Sequence, residues 1–331
     1  MRRLFGQLAI LAAVVLLFAG FNASVYVLLT RRLANNFSDT SQAKMVDVAS
    51  FLPFEDDSDL ARIDTDFSLE GELPVLDGAA ALVPVYASII DAVYPEGSVT
   101  YEGGVFSDDN YYGENFAPDS KMQYKNTVRG YKAIVDGDTD ILFCAAPSAE
   151  QRAYAEAQGV ELVYVPVGLE AFVFFVNRDN PVEDLTVDEI RTIYAGDIRN
   201  WKAVGGENRV INPVTRLEGS GSQSMMDAFM GDTPIGGKSP LALFGGAIGF
   251  SFRYYLDDMV DNAGVKMLSV NGVYPSRDNI RARTYPIVAQ FYAIYRADNE
   301  NENVLRLIDW ILSEEGQAII EVCGYTAIGE S

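Results

Sequence analysis

The chain has 331 residues, with 25 lysines and arginines against 47 aspartates and glutamates and no histidine, so its net charge at pH 7 is −22. A chain this acidic is a poor partner for nucleic acid, and without an imidazole it cannot use Ser-His-Asp or Cys-His catalysis or an HExxH zinc site. A hydrophobic share of 49% with 22% charged residues is typical of a globular protein, and the length is sufficient for two lobes, each with its own core.

An apolar stretch occupies residues 4–29, where Gln7, Asn22 and Ser24 are the only strongly polar side chains. As a helix, this stretch exceeds the roughly 30 Å hydrocarbon core of a bilayer, and it is longer than the ~7–15 apolar residues of a cleaved signal peptide. The pattern favours an uncleaved membrane anchor over residues 1–34, with a removed signal peptide as the alternative. Arginines flank both ends of the stretch, so charge alone leaves its orientation open.

Residues 35–72 follow the anchor. The run from Glu55 to Glu72 holds eight acids and one arginine, with little periodicity and no clear apolar face. This composition predicts a solvated acidic tether between the anchor and the body of the protein.

Helical and strand-like patterns alternate from Pro74 onward. Helices are predicted at apolar stripes after Leu82 and Thr127, at the capping box Thr186–Glu189, and over 222–230, 251–260 and 303–322. Strands are predicted over 141–146, 160–167, 170–177, 209–216, 266–270 and 290–295. This alternation predicts an α/β architecture with mostly parallel sheets and a ligand cleft between two lobes.

The two cysteines, Cys144 and Cys323, each lie among apolar neighbours. That environment predicts buried, inert thiols, and a disulfide between them is an open alternative. Two cysteines without histidine do not make a zinc knuckle, and we predict no metal site.

The most informative segment is a glycine–serine turn after the predicted strand that ends at Thr215. Its chemistry-bearing residues are Arg216, Gly219, Ser220, Gly221 and Ser222. Unpaired N–H groups at a helix start attract anions, glycines allow close backbone approach, and an arginine fork matches a tetrahedral oxyanion. The alternative is an ordinary serine N-cap beside a surface arginine. Without histidine, the turn lacks the usual base of a nucleophilic serine.

Together, this turn and a strand-plus-linker segment make the chain resemble the phosphate-binding proteins of ABC phosphate importers. Those proteins have the type II periplasmic-binding-protein fold. The resemblance runs from about Leu73 to the C-terminus, and its best segments are LDGAAALVPVYASIIDAVYP, FVFFVNRDNPVEDLTVDEIRTIYAGDIRNWKAVGG, RLEGSGS and AIGFSFRYY. It implies two α/β lobes, residues 73–166 with 281–331 and residues 167–280, joined by two crossing strands as a hinge. It also implies a buried phosphate held without metal or other cofactor.

The resemblance assigns the ligand-binding residues by position. Arg216, Ser220, Gly221 and Ser222 match the ligand turn of the family, with serine where many members have threonine. Thr127 falls where members place a serine ligand. These five residues are the expected core of a phosphate site.

Two positions depart from the family pattern. Ala80 stands where the first-helix motif presents a threonine or serine, so it offers a backbone N–H but no hydroxyl. An ungapped reading puts Ala145 where well-known members carry an aspartate that accepts a phosphate proton, with Ser148 nearby as a partial substitute. A lost neutral hydrogen bond costs about 0.5–1.5 kcal/mol, and the missing aspartate removes repulsion against sulfate. We therefore expect weakened selectivity for phosphate.

The function expected from these features is that of an extracytoplasmic solute-binding protein, anchored in the cell membrane through residues 4–29. It would pass phosphate, or a similar oxyanion, to the permease subunits of an ABC importer. One alternative is a sensor or scaffold of the same fold with a degenerate pocket, and another is a binder of a different small oxyanion. A third is an enzyme in which a lysine or aspartate serves as base for Ser220.

Overall fold

The structure, a computed structural model, describes residues 47–106, 112–216, 218–236, 245–256 and 264–328. The anchor predicted over residues 1–34 lies outside these residues. Among the residues that are described, no helix has the length and apolar character needed to cross a membrane.

The strands build one large sheet and two small ones. In chain order they are β1 (Leu76–Gly78), β2 (Tyr101–Phe106), β3 (Tyr112–Phe116), β4 (Ile141–Ala145), β5 (Leu162–Asn177), β6 (Asp184–Leu185), β7 (Ile211–Pro213), β8 (Gly246–Phe252), β9 (Val265–Met267), β10 (Ser269–Val270) and β11 (Val288–Arg296). The large sheet has the order β1-β4-β11-β5-β8-β7, and β9 also pairs with β5. β2 pairs with β3, and β6 pairs with β10.

The large sheet is mixed, so the prediction of mostly parallel sheets is wrong. β1 is parallel to β4, and β7 is parallel to β8. β5 and β11 run antiparallel to each other, and each is antiparallel to its other neighbours. These two long strands traverse the sheet in opposite directions, and every pairing that involves them is therefore antiparallel.

The α-helices in the described part of the chain are α1 (Val83–Val93), α2 (Asn126–Asp136), α3 (Ala149–Ala157), α4 (Val187–Ala195), α5 (Gly221–Met230), α6 (Arg277–Arg281), α7 (Glu302–Leu312) and α8 (Glu314–Val322). The capping box that begins α4 is confirmed, because the Thr186 hydroxyl accepts the N–H of Glu189 while the Glu189 carboxylate accepts the N–H of Thr186. Gly137 ends α2 with a φ of 85°, a left-handed conformation that suits glycine.

Two main hydrophobic cores lie along the sheet. The first core packs α1, α7 and α8 against β1 and β4, and the second core packs α4 and α5 against β5 and β8. On β5, Val167 belongs to the first core and Leu169 to the second. On β11, Phe291 belongs to the first core and Val288 packs against the second. Both strands therefore pass from one core to the other.

The chain ahead of β1 differs from the tether predicted over residues 35–72. Residues 47–72 are the described part of it, and they pack on the first core through Val48, Leu60 and Leu69. The ring of Phe67 also stacks on that of Trp310, with 5.5 Å between the ring centroids. These apolar residues follow neither a helical nor a strand period, which is why the sequence shows no buried face here.

Two helix predictions change in the structure. Residues 251 and 252 of the predicted helix 251–260 belong to β8, because Ser251 pairs with Val173 in the sheet. The predicted helix 303–322 is two helices, since the hydroxyl of Ser313 accepts the N–H of Gly316 and begins α8.

Both cysteines are free and buried, as the apolar surroundings predict. Burial raises the pKa of Cys144 to about 12 and that of Cys323 to about 11. The Cys323 thiol lies 3.5 Å from the hydroxyl of Ser88. The open alternative of a disulfide is not realised in this structure.

A small ionic cluster connects α6 to α8. The Glu321 carboxylate accepts hydrogen bonds from Arg277 at 2.7 Å, Arg281 at 2.8 Å and the N–H of Ala327 at 2.9 Å. Burial acts to raise the pKa of Glu321, but the Ala327 N–H and the two guanidinium groups outweigh it and bring the pKa below its ordinary value.

This lowered pKa predicts a pH-dependent contribution to stability. The contribution is complete above the ordinary value of 4.5 and is lost as the pH falls through the lowered pKa. Thermal denaturation is measured from about pH 6 to about pH 3. Over this range, we expect the melting temperature of Glu321→Gln to fall less than that of the wild type. The exposed Glu300→Gln serves as control, and identical pH profiles for Glu321→Gln and the wild type would contradict the prediction.

Candidate functional site

Three helix starts converge at one place between the two cores. Helix α5 begins at Gly221 after its N-cap Ser220, α2 begins at Asn126, and α1 follows the 3₁₀ turn Ala80–Leu82. The first N–H groups of a helix have no acceptor within it, and they lie at the positive end of its dipole. Such a convergence suits a bound anion.

The start of α5 lies close to the start of α2 at two glycines, and a Cβ atom at either position would make only ordinary van der Waals contacts. A Cβ atom built on Gly221 would lie 3.6 Å from Thr127 Oγ1 and 3.9 Å from the Cβ of Ala145. One built on Gly219, whose φ is 75°, would lie 3.5 Å from a methyl group of Val128. The structure thus brings Gly221, Thr127 and Ala145 together, as the resemblance implies.

A narrow cavity of about 30 Å³ lies between the start of α5 and the turn before α1. This volume is about the share of one water molecule in the liquid. The residues that line it are Ala79, Ala81, Leu82, Ala145, Glu170, Gly221, Phe252, Gln290, Phe291 and Tyr325. Ala80 itself is absent from this lining, although both of its neighbours contribute to it.

Thr127 presents a buried hydroxyl beside the cavity. Its exposed fraction is 6%. The N–H of Thr127 donates to the side chain of Asn126 at 2.7 Å, and Asn126 has a φ of 60°, which asparagine tolerates. The backbone amide of Thr127 is therefore engaged by its neighbour.

A buried ion pair holds the start of α2 against β1. The Asp77 carboxylate accepts hydrogen bonds from the N–H of Gly78 at 2.8 Å, the N–H of Lys125 at 2.9 Å and the ammonium of Lys125 at 3.2 Å. Burial raises the pKa of Asp77, and the charge and N–H of Lys125 oppose that rise. The pair positions Thr127, two residues further along, and the sequence reasoning missed it.

Arg216 is anchored at both its backbone and its side chain. Its N–H donates to the Gln223 side chain at 2.9 Å, which ties the turn to α5. Its guanidinium hydrogen-bonds Tyr255; burial raises the pKa of this phenol, and Arg216 opposes the rise. Arg216 is half-buried and does not line the narrow cavity.

The two serines of the turn are placed differently. The Ser220 hydroxyl accepts the N–H of Gln223 at 3.3 Å, so Ser220 is the N-cap that the alternative interpretation describes. A hydroxyl that accepts an N–H retains its own proton for donation, so this role is compatible with ligand binding. Ser222 is half-buried in the first turn of α5.

Ser148 lies outside the narrow cavity. It is the N-cap of α3, in a capping box with Gln151, and it lines a larger cleft of about 690 Å³. Ala145 and Gln290 line both the cleft and the cavity, so the two spaces adjoin. The structure therefore brings Ser148 near the entrance rather than beside Gly221.

Sequence reasoning also missed an acid in the cavity wall. Glu170 lies on β5 with 4% of its surface exposed. Its Oε1 accepts the N–H of Ala171 at 2.7 Å, and its Oε2 accepts the N–H of Tyr254 at 3.2 Å. The sequence did contain a signal for it, because Glu170 is an acidic residue within the apolar run 167–176.

No group of three or more histidine, cysteine, aspartate or glutamate residues suited to a metal ion occurs in the described ranges. Ligand binding at the cavity would rest on N–H and hydroxyl groups and on the Arg216 guanidinium.

The fold and site define an α/β protein in which two cores share two long strands and several helix starts face one cavity. The family profile described as "PBP superfamily domain" matches residues 108–315, more than half of the chain. This chain belongs to the PBP superfamily.

Several known proteins are similar to the chain. Phosphate-binding protein PstS of Bacillus subtilis is 28% identical over 233 residues, covering 66% of this chain and 75% of that protein. Protein SphX of Synechococcus elongatus is 26% identical over 289 residues, covering 75% of this chain and 85% of that protein. The match to PstS confirms the resemblance to phosphate-binding proteins that the motifs indicate.

A solved structure supports the fold. The crystal structure of a putative phosphate ABC transporter substrate-binding protein with bound phosphate from Clostridium perfringens matches with a TM-score of 0.56 at 22% identity. The match covers 78% of this chain and all of that one. The α/β architecture is thus that of solved proteins of this kind.

Proposed function

We propose that this protein is an extracytoplasmic solute-binding protein that captures inorganic phosphate and passes it to an ABC permease. The observation that carries the proposal is that the start of α5 and the turn before α1 line one cavity, with Thr127 at the start of α2 close to Gly221 in the cavity wall. One of the relatives named above is the phosphate-binding protein PstS of Bacillus subtilis, which supports this choice of ligand. The chemistry is binding rather than catalysis, because a chain without histidine lacks the usual base for the serines of the turn.

Phosphate would be held between two lobes, residues 73–166 with 281–331 and residues 167–280. Arg216 and the turn Ser220–Ser222 act from the second lobe, and Thr127 and the turn at Ala80 act from the first. The N–H groups at the helix starts bind oxygen atoms, and the guanidinium supplies the full positive charge. Neither a metal nor another cofactor is needed.

Entry of phosphate requires the lobes to separate, because a cavity of about 30 Å³ cannot admit a hydrated ion. The two strands shared by the cores, β5 and β11, are the proposed hinge. One hydrogen bond crosses between the proposed lobes beside the site: the Gln151 amide donates to the carbonyl of Gly219 at 3.4 Å. Opening breaks it, and bound phosphate favours the closed form.

The anchor keeps the proposed binding protein at its permease. Residues 4–29 would span the membrane and leave the body on the extracytoplasmic face. Protease added to intact cells is then expected to digest the body, whereas protection of the body in intact cells would contradict this orientation.

Phosphate is expected to stabilise the protein against heat. At 100 times its dissociation constant, a ligand that binds only the folded state adds about 2.7 kcal/mol to the free energy of unfolding. We expect the melting temperature of the full chain in detergent to rise with phosphate and not with chloride at equal ionic strength. Absence of a shift would favour the rival sensor or scaffold, for which the apolar Ala145 in the cavity wall is the supporting observation.

A further inference from the structure

The narrow cavity and the larger cleft of about 690 Å³ share their walls along three elements. Ala145 at the end of β4 and Gln290 on β11 line both spaces. On α5, Gly221 lines the cavity, while Ser224 and Ala228, further along the same face of the helix, line the cleft. A ligand held in the cavity therefore has the cleft beside it.

Ala145 gives the junction between the two spaces an apolar side. Its methyl group neither donates nor accepts a hydrogen bond and occupies little room. A phosphate hydroxyl that faces Ala145 finds no partner in this side chain, and leaving a buried polar group unpaired is costly. An ester oxygen has no proton to donate, and its organic group can extend past the small alanine into the cleft.

The cleft has the size and the polarity of a site for a small organic group. Its volume lies within the roughly 300–1,000 Å³ that is usual for ligand pockets. A second phosphate group would meet three carboxylates in the wall, and an apolar group would displace water without replacing its hydrogen bonds. Hydroxyl groups donate to carboxylates and accept from guanidinium groups, so a polyol suits this wall. The charged residues of the wall are Glu150, Arg152, Glu218, Asp227 and Arg283.

Ser224 adds an unpaired hydroxyl to the cleft wall. Its oxygen is shielded from solvent and has no hydrogen-bond partner within the described residues. Its backbone is engaged, because the N–H of Ser224 donates to the carbonyl of Ser220 at 2.9 Å. Buried polar atoms are nearly always paired, and a serine can turn to a new partner by a change of rotamer. A ligand hydroxyl in the cleft would be such a partner.

We propose that the site binds phosphate monoesters of small polyols as well as inorganic phosphate, with the phosphoryl group in the cavity and the organic group in the cleft. This rests on the proposed function, because the phosphoryl group uses the same helix starts as inorganic phosphate. The bridging oxygen faces Ala145, and the polyol lies along Ser224 and Ala228 of α5.

The test is calorimetry of the full chain in detergent with inorganic phosphate, glycerol 3-phosphate and ethyl phosphate at pH 7. We expect the wild type to bind glycerol 3-phosphate at least about tenfold more tightly than ethyl phosphate, which lacks the hydroxyl groups.

A bulky residue in the cleft wall tests where the organic group lies. Ala228 is exposed and does not line the cavity, so Ala228→Trp narrows the cleft alone. We expect the ratio of glycerol 3-phosphate affinity to phosphate affinity to fall at least about tenfold in this variant. The exposed Ala153→Trp on α3 lines neither space, and its ratio is expected to equal that of the wild type.

The outcomes separate this proposal from the function on which it rests. A wild type that binds neither phosphate nor glycerol 3-phosphate overturns both. A wild type that binds phosphate but not glycerol 3-phosphate, or that binds the two esters equally, overturns this proposal and leaves phosphate binding standing. An unchanged ratio in a folded Ala228→Trp also overturns it, and if that variant fails to fold, the three ligands compared on the wild type still decide.

Discussion

Arg216→Ala is expected to weaken phosphate binding by about ten- to a hundredfold, because one charge-assisted hydrogen bond is worth about 1.5–3 kcal/mol. Arg216 lies in the turn before α5, and its backbone is tied to Gln223 independently of the side chain. Its guanidinium is half-buried and bonds Tyr255, so its loss leaves both main cores intact. Calorimetry of the full chain measures the affinity, and the melting temperature checks the fold.

Two variants give this experiment its controls. Arg178→Ala removes an exposed arginine just after the end of β5. We expect this variant to bind phosphate as tightly as the wild type. Arg216→Lys keeps the charge but loses the planar fork, and we expect an intermediate affinity. If Arg216→Ala binds phosphate as the wild type does, Arg216 is not a ligand.

Asp77→Asn is expected to have the largest effect on stability, about 2–3 kcal/mol, and to weaken phosphate binding as well. An asparagine oxygen can still accept the two N–H groups that Asp77 binds, but the amide nitrogen then faces the ammonium of Lys125, and two donors oppose each other. Lys125 keeps partial contact with water, with 32% of its side chain exposed, which limits the loss. Because the ion pair positions the start of α2, its loss is expected to displace Thr127.

Urea unfolding and phosphate calorimetry measure the two parts of this prediction. Asp138→Asn, an exposed change just beyond the end of α2, is expected to leave both quantities unchanged. An Asp77→Asn protein with reduced stability and unaltered affinity would show that the pair supports the fold without positioning Thr127.

The net charge of −22 does not conflict with an anionic ligand. Charges at the surface are screened beyond about 8 Å in physiological salt, whereas the helix starts that line the cavity lie at contact distance from anything bound there. The acidity therefore bears on surface partners, and local dipoles decide what the cavity binds.

Predictions that rest on neighbouring residues were accurate. The capping box at Thr186 and the N-cap turn before α5 depend on side chains within a few residues of one another. The alternation of helices and strands likewise predicted the α/β class. Each of these signals lies in a short window of sequence, and tertiary contacts only reinforce it.

Errors arose where distant segments meet. The antiparallel course of β5 and β11 follows from their passage between two cores, and no residue within either strand encodes the direction of its neighbour. Residues 47–72 pack on the first core together with residues of α1, α7 and α8, which lie far from them in the chain. Contacts between segments far apart in the chain decide such features.

The sequence by itself determined the globular character, the absence of histidine chemistry, the α/β class and the glycine–serine turn, because composition and short-range pattern are sufficient for each. Only the tertiary structure decided which groups face the cavity. It brought Gly221 against Thr127, moved Ser148 to the larger cleft, and set Glu170 beside the helix starts. The sign of the charge next to a bound anion depends on distances of a few ångströms between strands and helices far apart in the chain, and a linear pattern does not contain those distances.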